Sequence, residues 1–201
     1  MNKKKLLIWS YNKWKIKDYK NFLWDLYELY SPYDLNLNVK VEENDYSLIE
    51  NSIKKAEIFC KALNLPTISE DTWFFIKELN WKPWISIKTW WWELKETLEV
   101  KKYLEFFKQK ISNLKDTSCY FLTVLTLSLP SWESYSILYK EEWYIDRKKF
   151  DNIFEEGYPL SSVFIADWRS KTWSEMSKKE QKDWWKKFEN KIKLLLSKYY
   201  D

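Results

Sequence analysis

Apolar positions along this chain follow two rhythms, one of period two and one of period 3.6, and they alternate. Leu6, Leu7 and Ile8 form a short apolar run within residues 5–10, which predicts a buried first strand. After a polar turn at Asn12, Ile16, Tyr19, Phe22, Leu23, Leu26 and Tyr27 recur at helical spacing. Residues 35–41 alternate leucine or valine with polar residues and predict a second strand. Leu48, Ile49, Ile53, Ala56, Phe59, Cys60 and Leu63 trace the inner face of a second helix. A short strand follows at residues 67–69 and is expected to end at the acidic pair Glu70-Asp71. Residues 74–79 with the turn at 80–84 read as strand and loop, and residues 94–111 as a third helix. Residues 118–129 and 134–144 read as a hairpin, residues 163–166 as a further strand, and residues 178–199 as a basic closing helix. This alternation predicts a single domain with an α/β fold, built on a mixed central β-sheet flanked by helices.

Composition changes that picture in one respect. The chain has 15 tryptophans and one glycine in 201 residues, where glycine at its usual level of about 7% would number about 14. Turns and helix ends need residues that accept a positive φ. Tryptophan stands where such residues belong: Trp73 after Asp-Thr, Trp81 and Trp84 around Lys-Pro, Trp132 after Pro-Ser, Trp168 after Ala-Asp, and the triplet Trp90 to Trp92. We read this as UGA recoding: codons that mean glycine in the cell of origin, translated as tryptophan. A truly tryptophan-rich binding protein would gather its aromatics in patches or at the ends of apolar spans. Here they punctuate the periodic segments as turn residues do.

Lys+Arg number 34 and Asp+Glu 30, for a net charge of +4. The two signs are interspersed, so no nucleic-acid footprint is expected. No apolar run approaches the ~18 residues of a membrane span. The first residues, Met1-Asn2-Lys3-Lys4-Lys5-Leu6-Leu7-Ile8, begin like a secretory leader, but the apolar run is too short and reads as a strand. Cys60 and Cys119 make no disulfide framework and suit a reducing, cytoplasmic setting. Histidine is absent, so any acid–base chemistry falls to carboxylates, lysines, hydroxyls or a metal.

Two constellations carry candidate chemistry. Ser10, Asn12 and Lys15 stand at a strand-to-helix junction, where free N–H groups and a helix dipole suit phosphate; an ordinary capped helix with surface lysines fits the segment as well. Glu50 lies in the second helix and Asp71 at the end of the next strand, and such a pair can hold one Mg²⁺ together with waters and substrate phosphates. Lys55, five residues beyond Glu50, is placed near the same helix face. Thr72 and Trp73, read as Thr-Gly, let the backbone approach a ligand. Solvated surface carboxylates account for the same spacing.

Taken in order, the segments resemble the inosine triphosphate pyrophosphatase family, which removes non-canonical purine nucleotides. Its T/S-G-N-x-x-K loop is resembled by Ser10, Asn12 and Lys15, and its E-N-x-x-x-K helix by Glu50-Asn51 and Lys55. Its D-D-S/T-G is resembled by Glu70-Asp71-Thr72-Trp73, and its N-G-x-P-G by Asn80-Trp81-Lys82-Pro83-Trp84. Its F-I-P-E-G-x-x-K-T is resembled by residues 164–172, including Lys171, and its A-E-M-S by residues 174–177. Trp14, Trp73, Trp81, Trp84, Trp132, Trp143 and Trp168 all fall at family glycines, which supports the recoding independently.

The resemblance implies a two-lobed fold with a substrate cleft. It also implies Mg²⁺-dependent hydrolysis of nucleoside triphosphates to monophosphate and pyrophosphate, in a cytoplasmic homodimer. By the same resemblance Glu50 and Asp71 hold Mg²⁺, and Asp71 or a nearby carboxylate orients or deprotonates water. Ser10, Asn12, Lys15, Lys55, Thr72, Trp73 and Lys171 then serve the phosphates. Tyr158, Lys186 and Lys187 are assigned to the base side, although the two lysines read more simply as a solvated helix face. Departures cluster at that base side. Ser161 stands for an aspartate of the G-F-G-Y-D-P loop, and Trp185-Lys186-Lys187 stand where S-H-R is usual. Gln181, with Lys182 beside it, stands at the upstream lysine, and Tyr11 replaces a glycine of the first loop. A changed base preference, a binder without turnover and a literal aromatic-binding protein are the alternatives.

Overall fold

Strand β1 (Lys4–Trp9) holds Leu6, Leu7 and Ile8 at 1% exposure or less, so the apolar run is buried on both faces, as in a central parallel strand. The computed structural model describes residues 3–39, 41–42, 47–80, 82–84, 99–150, 159–166 and 169–200. After β1 come α1 (Lys13–Leu23), β2 (Tyr27–Tyr30), α2 (Leu48–Leu63), β3 (Thr67–Ile76) and β4 (Lys82–Trp84). Then follow α3 (Val100–Ile111), β5 (Ser118–Ser128), β6 (Ser134–Ile145), β7 (Phe164–Ala166) and α4 (Lys178–Tyr199). Among the described residues the strands form one seven-stranded sheet in the order β2-β1-β3-β5-β6-β7, with β4 also paired to β3. Pairing of β1 with β2 and β3 is parallel, and that of β3 with β4 and β6 with β7 is antiparallel. The fold is the expected mixed α/β. No helix of the described residues is long and apolar enough to cross a membrane.

The chain divides into two compact units. The first comprises Met1–Asp71, Thr123–Tyr139 and Lys186–Asp201, and the second Thr72–Leu122 and Lys140–Trp185. In the first unit, Leu7, Trp9 and Phe59 form a buried cluster lined by Tyr30, Leu35, Leu37, Val41 and Leu65. The second unit has an aromatic core in which Phe74, Phe107 and Phe164 pack with Trp143 and Trp184.

Three sequence expectations are corrected, and a fourth is only partly covered by the described residues. Residues 35–39 are a turn and an extended loop, because the edge of β1 is taken by β2. Their alternation records burial of Leu35 and Leu37 against the Leu7 cluster, while Asn36, at φ 51°, breaks the chain out of a strand. Tyr27, expected on the first helix, opens β2 instead. β3 does not stop at Glu70-Asp71 but runs on to Ile76. The third helix begins at Val100, and residues 94–98 of the expected helix lie outside the described residues.

Asparagine takes the left-handed position that closes α2 (Asn64, φ 50°) and the one at Asn80 (φ 50°), both roles open to its short polar side chain. The turn between β5 and β6 differs. Trp132 there has φ 74° and is 72% exposed, a conformation that a bulky residue adopts only at a steric cost.

Candidate active site

The parallel register of β1 on β3 pairs Trp9 with Ser69. Just beyond that pair β1 gives way to the turn 10–12 and α1, while β3 carries on through Glu70 and Asp71. The turn and both carboxylates therefore lie at the carboxyl end of a parallel strand pair, the usual place for a ligand in a sheet of this kind.

The turn is braced by its own side chains. Ser10 Oγ accepts a hydrogen bond from Asn12 N at 3.1 Å, and Asn12 Oδ1 accepts from Trp14 N and Lys15 N at 2.9 and 3.3 Å, capping α1. Tyr11, at the family glycine, is clasped to the segment that follows β2. Its hydroxyl donates to Leu37 O at 3.1 Å and accepts from Val39 N at 2.7 Å, while Tyr33 Oη donates to Tyr11 O at 2.8 Å.

Successive strand residues leave opposite faces of a sheet, so α1 and α2 each receive one of the adjacent carboxylates. On the α1 side, Lys15 Nζ lies 2.7 Å from Glu70 Oε1, and Tyr19 Oη donates to Glu70 Oε2 at 3.2 Å. Lys15 and Tyr19 are one helical turn apart, which aims both at one carboxylate. Burial first, and then the Glu70 carboxylate, push the Tyr19 phenol well above its ordinary range.

On the α2 side, Lys55 Nζ lies 3.0 Å from Asp71 Oδ1, with side-chain exposures of only 13% and 10%. Asp71 Oδ2 is buried and, among the described residues, has no hydrogen-bond partner. A buried hydroxyl network sets the rotation of α2. Ser52 Oγ lies 2.8 Å from Thr126 Oγ1 and 3.3 Å from Ser69 Oγ, and Ser69 Oγ donates to Ser52 O at 2.6 Å. Lys55, three residues after Ser52, shares its face.

Glu50 does not join that face. Five residues turn a helix by about 500°, which leaves Glu50 and Lys55 about 140° apart. Glu50 is exposed in the first turn of α2, where its N–H is capped by Ser47 Oγ at 3.1 Å. The expectation that Glu50 and Lys55 share a face is corrected.

Thr72 is half-buried and Trp73 buried on β3. Lys171 lies 3.1 Å from Glu180, a residue that also accepts from Ser177 N at 2.7 Å at the start of α4. The Ser177 backbone and hydroxyl donors, and then Lys171, hold the Glu180 carboxyl down at about 2. Lys186 and Lys187 are exposed on α4, and Ser161 is buried. Tyr158 lies outside the described residues. The sequence reading missed Tyr19 and Glu70 as partners, because Tyr19 fits the apolar stripe of α1 equally well. The signal was there in its i, i+4 spacing from Lys15.

The model of the Ham1 family matches residues 6–189. Over 179 residues the chain is 30% identical to a dITP/XTP pyrophosphatase of Staphylococcus aureus (strain MRSA252), covering 89% of this chain and 88% of that protein. Over 180 residues it is 26% identical to the dITP/XTP pyrophosphatase of Bacillus subtilis (strain 168), with 89% and 88% covered. The solved Staphylococcus aureus Ham1 protein superposes with a TM-score of 0.71 at 26% identity, over 88% of this chain and 89% of that one. A nucleoside-triphosphatase / dITP/XTP pyrophosphatase structure from Mycobacterium abscessus has a TM-score of 0.70 at 21% identity, over 96% and 98%, and speaks for the fold alone.

Proposed function

We propose, since the chain belongs to the Ham1 family, that it hydrolyses nucleoside triphosphates to a monophosphate and pyrophosphate. It is a nucleoside triphosphate pyrophosphatase, and its substrates on this reading are non-canonical purine nucleotides such as inosine or xanthosine triphosphate. The observation that carries the reading is Asp71: one carboxylate oxygen is held by Lys55, and the other is buried without a partner among the described residues. A buried carboxylate oxygen left open is costly unless something fills the place. An attacking water or a cation would do so.

Water attacks the α-phosphorus, the bond from that phosphorus to the bridging oxygen breaks, and pyrophosphate departs. Asp71 Oδ2 orients the water and accepts its proton. Lys15 and Lys55 neutralise the phosphate oxygens, and Ser10, Asn12, Thr72 and Lys171 complete the phosphate side. The donor set is all oxygen and suits Mg²⁺, which takes one or two carboxylates plus substrate phosphates. Asp71 would hold it, and it would supply charge neutralisation on the phosphates. A cytoplasmic homodimer belongs to the same reading, supported by the family's habit and by two buried free cysteines.

The test is pyrophosphate release with Mg²⁺ from inosine, xanthosine, guanosine and adenosine triphosphates. Inosine or xanthosine triphosphate should be hydrolysed, and Asp71→Asn should lose about a hundredfold or more. A folded protein that releases pyrophosphate from none of the four overturns the reading.

We also propose that glycine is the working residue at the tryptophan positions, and three local geometries support this. Trp132 has φ 74°. The Trp9 and Phe59 rings have centroids 3.1 Å apart, closer than the ~4.5–7 Å of relaxed aromatic pairs. The indole Nε1 atoms of Trp143 and Trp184 are buried with no hydrogen-bond partner among the described residues, although a buried indole N–H usually finds one. Trp132→Gly should therefore stabilise the chain by about 1 kcal/mol. Peptide masses of the protein from its own cells decide between the two residues, and tryptophan masses at these positions would sink the proposal.

A further inference from the structure

Tyr19 is 2% exposed, and its ring meets Phe188 edge-on, with centroids 5.7 Å apart at 84°. Phenylalanine would fill that space equally well and leave no hydroxyl to satisfy. The hydroxyl that is present donates to Glu70 Oε2, while Lys15 reaches Glu70 Oε1. A glutamate has three rotatable side-chain torsions, and a donor on each oxygen fixes all of them. An unheld carboxylate would turn both oxygens toward the lysine ammonium and engage more of its three N–H donors. With Oε2 occupied, Lys15 is bound through one oxygen at 2.7 Å and stays 30% exposed at the braced turn of Ser10 and Asn12.

We propose that Tyr19 is a positioning residue: by holding Glu70 Oε2 it limits Glu70 to a single contact with Lys15 and keeps the Lys15 ammonium aimed at the triphosphate. The proposal rests on the reading of Lys15 as a phosphate ligand. Tyr19 itself touches no substrate. Its ring belongs to the core, and its effect passes through Glu70 to Lys15.

Tyr19→Phe retains the ring and removes the hydroxyl, so folding survives. The variant is compared with Glu70→Gln, Lys15→Gln and the corresponding double variants, in the tryptophan chain and in the chain with glycine at the fifteen positions. Three quantities are read: kcat and KM for inosine triphosphate, calorimetric affinity for inorganic tripolyphosphate in EDTA, and urea unfolding. Tyr19→Phe should raise KM and weaken tripolyphosphate binding by about three- to tenfold, with kcat nearly unchanged. That loss should vanish when Glu70 or Lys15 is already changed. Unchanged binding in Tyr19→Phe overturns the proposal. So does a loss that persists in the Lys15→Gln background, or coupling to Glu70 in unfolding alone, because either assigns Tyr19 a purely structural part. A parent that neither turns over nor binds tripolyphosphate overturns the functional reading and takes this proposal with it. The unfolding cycle then reports only whether the Tyr19–Glu70 contact exists.

Discussion

Two lysine–carboxylate pairs stand on adjacent residues of β3, and they are built differently. Glu70 has both oxygens engaged, by Lys15 and Tyr19, and its lysine is 30% exposed. Asp71 has one oxygen engaged, by a lysine that is 13% exposed, and the other oxygen is buried and open. The residue types are nearly the same, and the role follows from what is left unfilled. A saturated carboxylate can only aim its neighbours. An open one can take a proton, a water or a cation.

The largest expected effect separates the two carboxylates by turnover. Asp71→Asn should lower kcat about a hundredfold or more, while Glu70→Gln should act mainly on KM. Equal losses of kcat from both, measured by pyrophosphate release, would break the comparison. Stability separates the two lysines. Lys55→Ala leaves Asp71 buried and unpaired and should cost about 3 kcal/mol, whereas Lys15→Ala, at the more exposed pair, should cost about 1 kcal/mol or less. Urea unfolding of the two variants checks the order.

A smaller effect tests how α2 is set. Ser52→Ala removes the hydroxyl shared by Ser69 and Thr126 and should cost about 1–2 kcal/mol. It should also raise KM, because Lys55 then loses its fixed approach to Asp71. The smallest effect belongs to a third pair, Lys171–Glu180, on the surface. Glu180 titrates at about 2 in the folded chain, against 4.5 ordinarily. Its contribution is therefore complete above the ordinary value and is lost as pH falls from there toward 2. Glu180→Gln should flatten that slight acid-side decline in melting temperature and leave neutral stability almost unchanged.

Local regularity was legible wherever one face of an element is buried. The full extent of α4 agrees with the structure, as does the β5–β6 hairpin with its turn at residues 130–133, and the α2 stripe holds at Leu48, Ala56, Phe59 and Cys60 but not at Ile49 and Leu63, which are exposed at its two ends. Failures came where two causes produce the same pattern. Alternation at residues 35–39 reflects one-sided packing of a loop against the Leu7 cluster, while β1 is already paired on both edges by β2 and β3. Glu70 and Asp71 looked like the polar end of a strand, yet β3 continues past them, because their charges are met by lysines from α1 and α2. Lys15, Lys55, Glu70 and Asp71 stood out as candidates from their motifs. Their pairing did not, because which lysine meets which carboxylate depends on strand register and helix rotation. The angle between Glu50 and Lys55, by contrast, follows from their five-residue spacing alone.

Tyr11 carries a consequence of its own. Its hydroxyl receives the Val39 amide proton at 2.7 Å, while Tyr33 grips the Tyr11 carbonyl. The turn at residues 10–12 and the segment after β2 are thereby latched, and neither can lift without releasing the other. Solvent can exchange the Val39 amide proton only when the latch opens. The deuterium uptake of that one amide is thus a clock for the turn, readable without substrate, metal or turnover.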